Sequence, residues 1–195
     1  MKETNTTAES TALNGTRVSI RTSVMAALIA TAAAVALPQL LHVFGAVTGL
    51  GTVPGETFLP MHLPVMLCGF LAGPLAGLAA GAASPAISAS LTGMPLPAMM
   101  PFMMIELAAY GLFAGLLRNK DDSMPATAAK VLMVQIAGRA VRAAAILTAF
   151  YGLGMKMIAP PVIWNSVAAG IPGMLIQLAL IPVICKAVYA AESRE

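Results

Sequence analysis

The chain has 195 residues, of which 58% are hydrophobic and 10% charged, with a formal net charge of +3 at pH 7. Roughly a quarter of the residues of a soluble domain are charged, so this composition excludes that class and indicates an integral membrane protein in a lipid bilayer. The length allows about six helical spans of some 20 residues each, without a soluble domain. The basic residues are therefore expected to set orientation rather than to bind nucleic acid.

The first 21 residues are polar and are predicted to form a cytoplasmic tail that ends at Arg21. The next segment stays apolar over residues 24–41, which is longer than the roughly 7 to 15 residues of a signal-peptide core. This length favours a retained first span over residues 22–44, with cleavage near residues 30–32 as the alternative. The glycine-rich segment 45–59 is predicted to lie outside any helix.

Residues 61–91 permit two interpretations: one helix kinked at Pro74, or two helices, 61–72 and 75–91, with a turn between them. The positive-inside rule places the basic residues before the first span and those of the segment 118–130 in the cytoplasm. An even number of crossings must then separate the two groups, which selects two helices. The second span is short, so its outer end is predicted to dip into protein rather than to face lipid.

Three more spans are predicted at about residues 98–117, 127–151 and 161–188. The predicted fold class is therefore an all-α membrane protein with six transmembrane helices. The helices form one domain over residues 22–188, and the tail 189–195 is cytoplasmic like the N terminus.

Small residues recur every fourth position in two places. Ala26, Ala30 and Ala34 do so on the first span, and glycines do so from Gly69 to Gly81. This spacing lets helix backbones approach closely in lipid. Packing inside the chain is one interpretation. A docking surface for another membrane protein is the other, and the alanine stripe is the better candidate for it.

Glu106, Arg139 and Arg142 fall inside apolar segments, where each charge costs about 2.5 to 3.5 kcal/mol. At about 1.5 Å per residue, Glu106 and Arg142 lie nearly level and Arg139 lies slightly deeper. A salt bridge that joins two helices is one interpretation. It leaves one guanidinium over, which favours a bound anion, especially a carboxylate held in a bidentate way.

Three polar residues are predicted to lie near these charges. His62 stands at the outer end of the short second span, where it also fits a capping role, and Trp164 and Asn165 begin the sixth span. Trp164 alone also fits an interfacial anchor. Few aromatic residues are present, which favours a small flexible ligand over a large flat ring. The predicted substrate-binding residues are His62, Glu106, Arg139, Arg142, Trp164 and Asn165.

Motifs for catalysis are missing from the sequence. It has no G-x-x-x-x-G-K-[ST] phosphate loop, no His and Glu pair at metal-ligand spacing, and no G-x-S-x-G nucleophile with a plausible base. We therefore expect no ATPase site, no metal site, no cofactor and no enzymatic activity.

The chain resembles the substrate-binding S components of the energy-coupling factor (ECF) vitamin transporters from Ser23 to Val188. The resemblance is carried by the alanine motif of the first helix and by the segments 60–74, 93–95, 106–111 and 138–139. It implies a subunit of a prokaryotic plasma membrane that captures a vitamin from outside. Its implied partners are a transmembrane T component, which meets Ala26, Ala30 and Ala34, and two ATP-binding subunits. The loops 45–59, 92–97 and 152–160 would then cap the substrate.

Pantothenate is the first expectation for the substrate, because it is small and flexible and carries one carboxylate. An S component for folate, riboflavin or another vitamin is an alternative. A further alternative, from a different class, is a structural subunit of a membrane complex that uses Glu106 and the arginines as an internal ion-pair network.

Overall fold

The computed structural model describes residues 19–194, and within them the chain forms helices and no strand. Most of the predicted tail 1–21 lies outside the described residues. Residues 19–194 contain seven α-helices, and a π-helical turn, Thr148–Gly152, follows the sixth of them. The helices are α1 (Ile20–Thr48), α2 (Val53–Phe58), α3 (His62–Ala72), α4 (Pro74–Thr92), α5 (Met100–Leu116), α6 (Met124–Leu147) and α7 (Pro161–Glu192).

Local sequence accounts for several helix ends. The hydroxyls of Ser19 and Ser123 accept hydrogen bonds from the backbone N–H three residues ahead, at 3.1 and 3.4 Å, and so begin α1 and α6. Gly49 and Gly93 end α1 and α4 in the left-handed conformation, at φ 75° and 74°. The last helix continues four residues beyond the predicted end of the sixth span, to Glu192.

The segment 61–91 forms two helices, as predicted. Gly73 separates α3 from α4 at φ 101°, a backbone conformation that side chains with a Cβ rarely adopt. The 11 residues of α3 rise only about 16 Å. Its N-terminal end, which the sequence predicts to be the outer one, is buried in protein, with Met61 5% and His62 4% exposed.

The prediction that the segment 45–59 contains no helix is wrong. α1 continues to Thr48, and α2 forms a short helix with Pro54 in its first turn. α2 packs against both α1 and α7, so contacts from distant parts of the chain stabilise a six-residue helix that its glycine-rich surroundings do not indicate. It ends at Leu59, which adopts the left-handed conformation at φ 49°.

α3 lies at the centre of the bundle, where it contacts α1, α4, α5 and α7. α6 packs between α5 and α7, and α1 packs on α3 and α4. Most of the residues of α3 are buried, so the central core forms around it. The buried residues of this core include Val65, Met66, Phe70, Leu107, Tyr110, Val131, Val134 and Ile181.

The small residues pack helices inside the chain. A Cβ at Gly77 would overlap the backbone of Gly111, and a Cβ at Gly111 would overlap the backbone of Gly77. α4 and α5 therefore approach to direct backbone contact. On α1, Ala30 and Ala34 are 7% and 0% exposed, and Ala26 is half-buried against the same packing. Ala30 and Ala34 therefore face the interior of the chain, in agreement with the packing interpretation.

Among the described residues, five helical stretches are long and apolar enough to cross a membrane. Met100–Leu116, with 17 residues, is apolar but shorter. Many large apolar side chains on the outside of the bundle are exposed, as expected for a surface in contact with lipid. The five long stretches are Ile20–Thr48, Val53–Ala72, Pro74–Thr92, Met124–Gly152 and Pro161–Glu192.

Candidate ligand-binding cavity

Glu106 on α5 contacts both arginines of α6, which their similar predicted depths allow. Its Oε2 atom lies 3.0 Å from Nη1 of Arg142, and its Oε1 atom lies 3.1 Å from Nη1 of Arg139. All three residues are buried, with Glu106 0%, Arg142 7% and Arg139 9% exposed. The cluster therefore holds two positive charges and one negative charge away from bulk water.

Arg139 and Arg142 differ in the contacts that they make with Glu106. Arg142 donates a hydrogen bond from Nη1 to Glu106. Arg139 is close enough to Glu106 for an ion pair, but none of its three guanidinium nitrogens forms a hydrogen bond. The Arg139 guanidinium lies beside Gly170 of α7, where a Cβ would stand 3.0 Å from Nη2. Arg142 thus anchors the carboxylate, and Arg139 retains its hydrogen-bonding capacity.

His62 lies at the edge of this cluster. Its Nε2 atom is 3.8 Å from Oε1 of Glu106, which exceeds hydrogen-bond distance, and neither ring nitrogen has a hydrogen-bond partner. Its ring meets the edge of the Tyr110 ring at a centroid distance of 5.0 Å and an angle of 72°. Packing against Tyr110 therefore fixes the ring while both nitrogens stay available to a ligand.

A second polar layer links α6 and α7 to the short helix α2. Gln135 donates to the Met174 carbonyl and to the Gln177 side chain, at 3.1 and 3.3 Å. Gln177 in turn donates to the Leu59 carbonyl at 3.1 Å. This layer fixes the end of α2 on α7 beside the charged cluster.

These groups line a cavity of about 360 Å³, which lies within the usual size range of small-molecule sites. The charged cluster and His62 form its buried end. Much of the remaining wall is apolar and includes Met61, Met94, Met99 and Met103. Residues of α1 and α2 line the cavity as well: Pro38, His42, Thr52, Gly55 and Glu56.

The structure brings together five of the six residues predicted to bind substrate. His62, Glu106, Arg139, Arg142 and Asn165 all line the cavity. Trp164 does not: its side chain is 75% exposed on the outside of α7. The cavity residues of α7 follow the i, i+3, i+4, i+7 spacing of one helix face, and Trp164 lies off that face; they are Val162, Asn165, Ser166 and Ala169. The position of Trp164 agrees with the alternative of an interfacial anchor.

The list of predicted binding residues included no residue of α1 or α2 and none of the methionines that line the wall, although the resemblance implied the segments 45–59 and 92–97. Glu56 was visible as the other acid in the charge-poor segment between Thr22 and Leu117. Its position in a glycine-rich segment favoured an outer loop instead. Of the three loops implied to cap the substrate, 45–59 and 92–97 contribute to the cavity wall, whereas 152–160 contributes no lining residue.

The cavity is suited to binding an organic anion. Its buried end offers a guanidinium without hydrogen bonds and an imidazole with two open nitrogens. Within residues 19–194, no group of three or more His, Cys, Asp or Glu side chains is placed to hold a metal ion. The site therefore presents groups for recognition by charge and hydrogen bonding.

The fold and the cavity define an all-helical, multi-pass membrane protein with a polar site inside its bundle. Comparisons of the chain with protein-family models, with curated proteins and with solved structures find no match.

Proposed function

We propose that the protein captures a small organic anion from outside the cell as the substrate-binding subunit of an ECF-type vitamin transporter. The observation that carries this proposal is Arg139. The Arg139 guanidinium is buried at the cavity wall and pairs with Glu106, but none of its nitrogens forms a hydrogen bond within the chain, so its donors are open to a ligand. A ligand carboxylate would satisfy it in the bidentate geometry that arginine favours.

Charge supports a ligand with one negative charge at the buried end. Glu106 neutralises one of the two guanidiniums, and its hydrogen bond assigns that role to Arg142. One positive charge then remains, on Arg139, at the cavity wall. A monocarboxylate neutralises it, whereas a cationic vitamin would add to it.

Size and lining favour pantothenate among the vitamins considered. The cavity of about 360 Å³ lies near the lower end of the range for small-molecule sites. Among the described residues that line it, none is Phe, Tyr or Trp. Riboflavin and folate carry large flat rings that such a wall does not stack, whereas flexible methionines fit a branched aliphatic molecule. Those two vitamins remain the alternatives within the same class.

The proposed topology has six crossings, counting α5 and the α2–α3 stretch as spans, with both termini in the cytoplasm of a prokaryotic plasma membrane. The positive-inside rule supports it. Transport would then require partners that hydrolyse ATP: a T component and two ATP-binding subunits. Because Ala30 and Ala34 are buried, the proposal does not depend on the alanine stripe as the contact with the T component.

A structural subunit of a membrane complex is the second candidate function. The hydrogen-bonded pair between Arg142 and Glu106 favours it, since this pair joins α5 to α6 without any ligand. Arg139 distinguishes the two functions: a structural network needs only its ion pair with Glu106, whereas a binding site also uses the guanidinium donors that form no hydrogen bond within the chain.

The test is mass spectrometry of small molecules released from the purified protein. We expect about one anionic molecule per chain from the wild type and from Arg21→Gln, a control about 26 Å of helix away from the cavity residue Pro38. Arg139→Gln should retain far less, because loss of one partner of a buried charge pair costs about 2 to 5 kcal/mol. Equal retention by Arg139→Gln and the wild type would overturn the proposal.

A further inference from the structure

The cavity has a second polar end, which the charged cluster does not explain. Two carboxylates line one cavity at very different depths: Glu106 is 0% exposed, whereas Glu56 on α2 is exposed. Glu106 is neutralised by arginine. Glu56 forms no ion pair with any lysine or arginine of residues 19–194, so a negative charge stands at the cavity mouth.

We propose that the ligand is a monocarboxylate that carries hydroxyl or amino groups at its opposite end, and that Glu56 accepts hydrogen bonds from them. This inference rests on the proposed function. It goes further by assigning a second recognition site and the chemical groups that the site selects.

Glu56 is held in place by its neighbours. Its Oε1 atom accepts a hydrogen bond from the Thr52 hydroxyl at 3.0 Å, and Thr52 also lines the cavity. Gly55, in the same helix, lies against the His42 ring, where a Cβ would stand 3.3 Å from Cε1. The hydrogen-bonded pair of Thr52 and Glu56 and the nearby His42 therefore all contribute polar groups to this part of the cavity wall.

The helix that carries Glu56 is fixed on both sides. At its C-terminal end, Gln177 donates to the Leu59 carbonyl, and the backbone of Phe58 lies so close to Gly173 that a Cβ there would overlap it. Before α2, the N–H of Gly51 donates to the Gly45 carbonyl of α1 at 3.1 Å. These contacts hold the backbone of α2, and with it the starting point of the Glu56 side chain, in a fixed position, as a recognition site requires.

An apolar wall accompanies the two polar ends. Met61, Met94, Leu96, Met99 and Met103 line the same cavity. Unbranched methionine side chains adapt to irregular aliphatic shapes. The complementary ligand therefore has a carboxylate, an aliphatic middle and hydrogen-bond donors at the far end.

The arrangement of charges also excludes a class of ligand. A dicarboxylate that places its first carboxylate on Arg139 would bring its second toward Glu56, where like charges repel. A molecule with neutral hydroxyl groups or an amine at that end meets an acceptor instead. Glu56 thus discriminates among anions of similar size.

The test uses three compounds with the protein in lipid nanodiscs: pantothenate, its analogue without both hydroxyl groups, and panthenol, in which an alcohol replaces the carboxylate. For the wild type we expect the dideoxy analogue to bind about 10 to 100-fold more weakly than pantothenate, the range for hydrogen bonds to a charged group. Glu56→Ala should weaken pantothenate by a similar factor and change binding of the dideoxy analogue little. Asp121→Asn, which removes an exposed carboxylate elsewhere, is the matched control and should bind like the wild type.

The outcomes distinguish a failure of the proposed role of Glu56 from a failure of the proposed function on which it rests. Pantothenate binding that Glu56→Ala leaves unchanged, or equal binding of pantothenate and its dideoxy analogue, would overturn this inference alone. Binding of panthenol as tightly as pantothenate would overturn the proposed role of Arg139. Failure of the wild type to bind any of the three compounds would overturn both the choice of pantothenate and the inference built on it.

Discussion

Arg139 and Arg142 lie three positions apart on one face of α6, yet they differ in what surrounds them. Arg142 donates to a fully buried carboxylate, and its charge is compensated within the chain. Arg139 lies beside the small residue Gly170 and pairs with Glu106 by charge, but its nitrogens form no hydrogen bond within the chain. We therefore expect Arg142 to serve stability and propose that Arg139 serves binding.

This division predicts opposite effects on stability. Removing Glu106 leaves two buried guanidiniums uncompensated, so Glu106→Gln should lower the free energy of unfolding by about 3 to 5 kcal/mol. Arg139→Met removes the surplus charge and keeps the Arg142–Glu106 pair, so the ligand-free protein should be as stable as the wild type or more stable. Thermal unfolding of both variants in one detergent, after removal of ligand, measures the difference.

Arg21→Gln is the control for loss of an exposed arginine and should unfold like the wild type. Equal destabilisation by Arg139→Met and Glu106→Gln would contradict the division, since it would make both residues members of one structural network.

For single residues, the sequence predicts that the two arginines outnumber Glu106 by one and that these three charged residues lie at similar depths. It does not predict which arginine pairs with Glu106, because that depends on the direction of each side chain and on a glycine of another helix. Trp164 shows the same limit, since one step along α7 separates a cavity residue from one on the outer surface.

The elements are assembled by close backbone contact where glycines oppose each other. Gly77 of α4 and Gly111 of α5 leave no room for a methyl group on either side. In lipid, where apolar burial gives helices little reason to associate, such contact is a main source of packing energy.

Gly111→Ala should therefore destabilise the bundle by about 1 to 3 kcal/mol or more, because α4 and α5 must move apart. Gly152→Ala is the matched control, since its Cβ would meet only Thr148 Cγ2, at an ordinary distance of 3.8 Å. Thermal unfolding in one detergent compares the two variants. A Gly111→Ala variant as stable as Gly152→Ala would show that the close contact is dispensable.

Helix positions follow from the sequence where apolar length and caps mark them, and the turn at Gly73 follows from the count of crossings. α2 does not, because six residues among glycines carry no signal of their own and are stabilised by packing on α1 and α7. The missed helix carries the missed residue, Glu56. The packing of α2 on α1 and α7 therefore explains why the sequence predicts neither this helix nor Glu56 as a cavity residue.

At the scale of the whole molecule, the charged end of the cavity is closed by the central core, and α2 forms the opposite wall. The predicted orientation places α2, between α1 and α3, on the outside of the membrane. An anion would then enter past Glu56 and reach Arg139 from outside, while the basic residues near the other ends of the helices stay in the cytoplasm.

Binding of labelled pantothenate to sealed membrane vesicles tests the central claim most directly, because it reports the ligand, the residue and the side of entry together. We predict binding to right-side-out vesicles that contain the wild type, and little binding to inside-out vesicles or to right-side-out vesicles with Arg139→Gln. Equal binding in both orientations would contradict the outward-facing cavity, and undiminished binding by Arg139→Gln would contradict the role of its guanidinium.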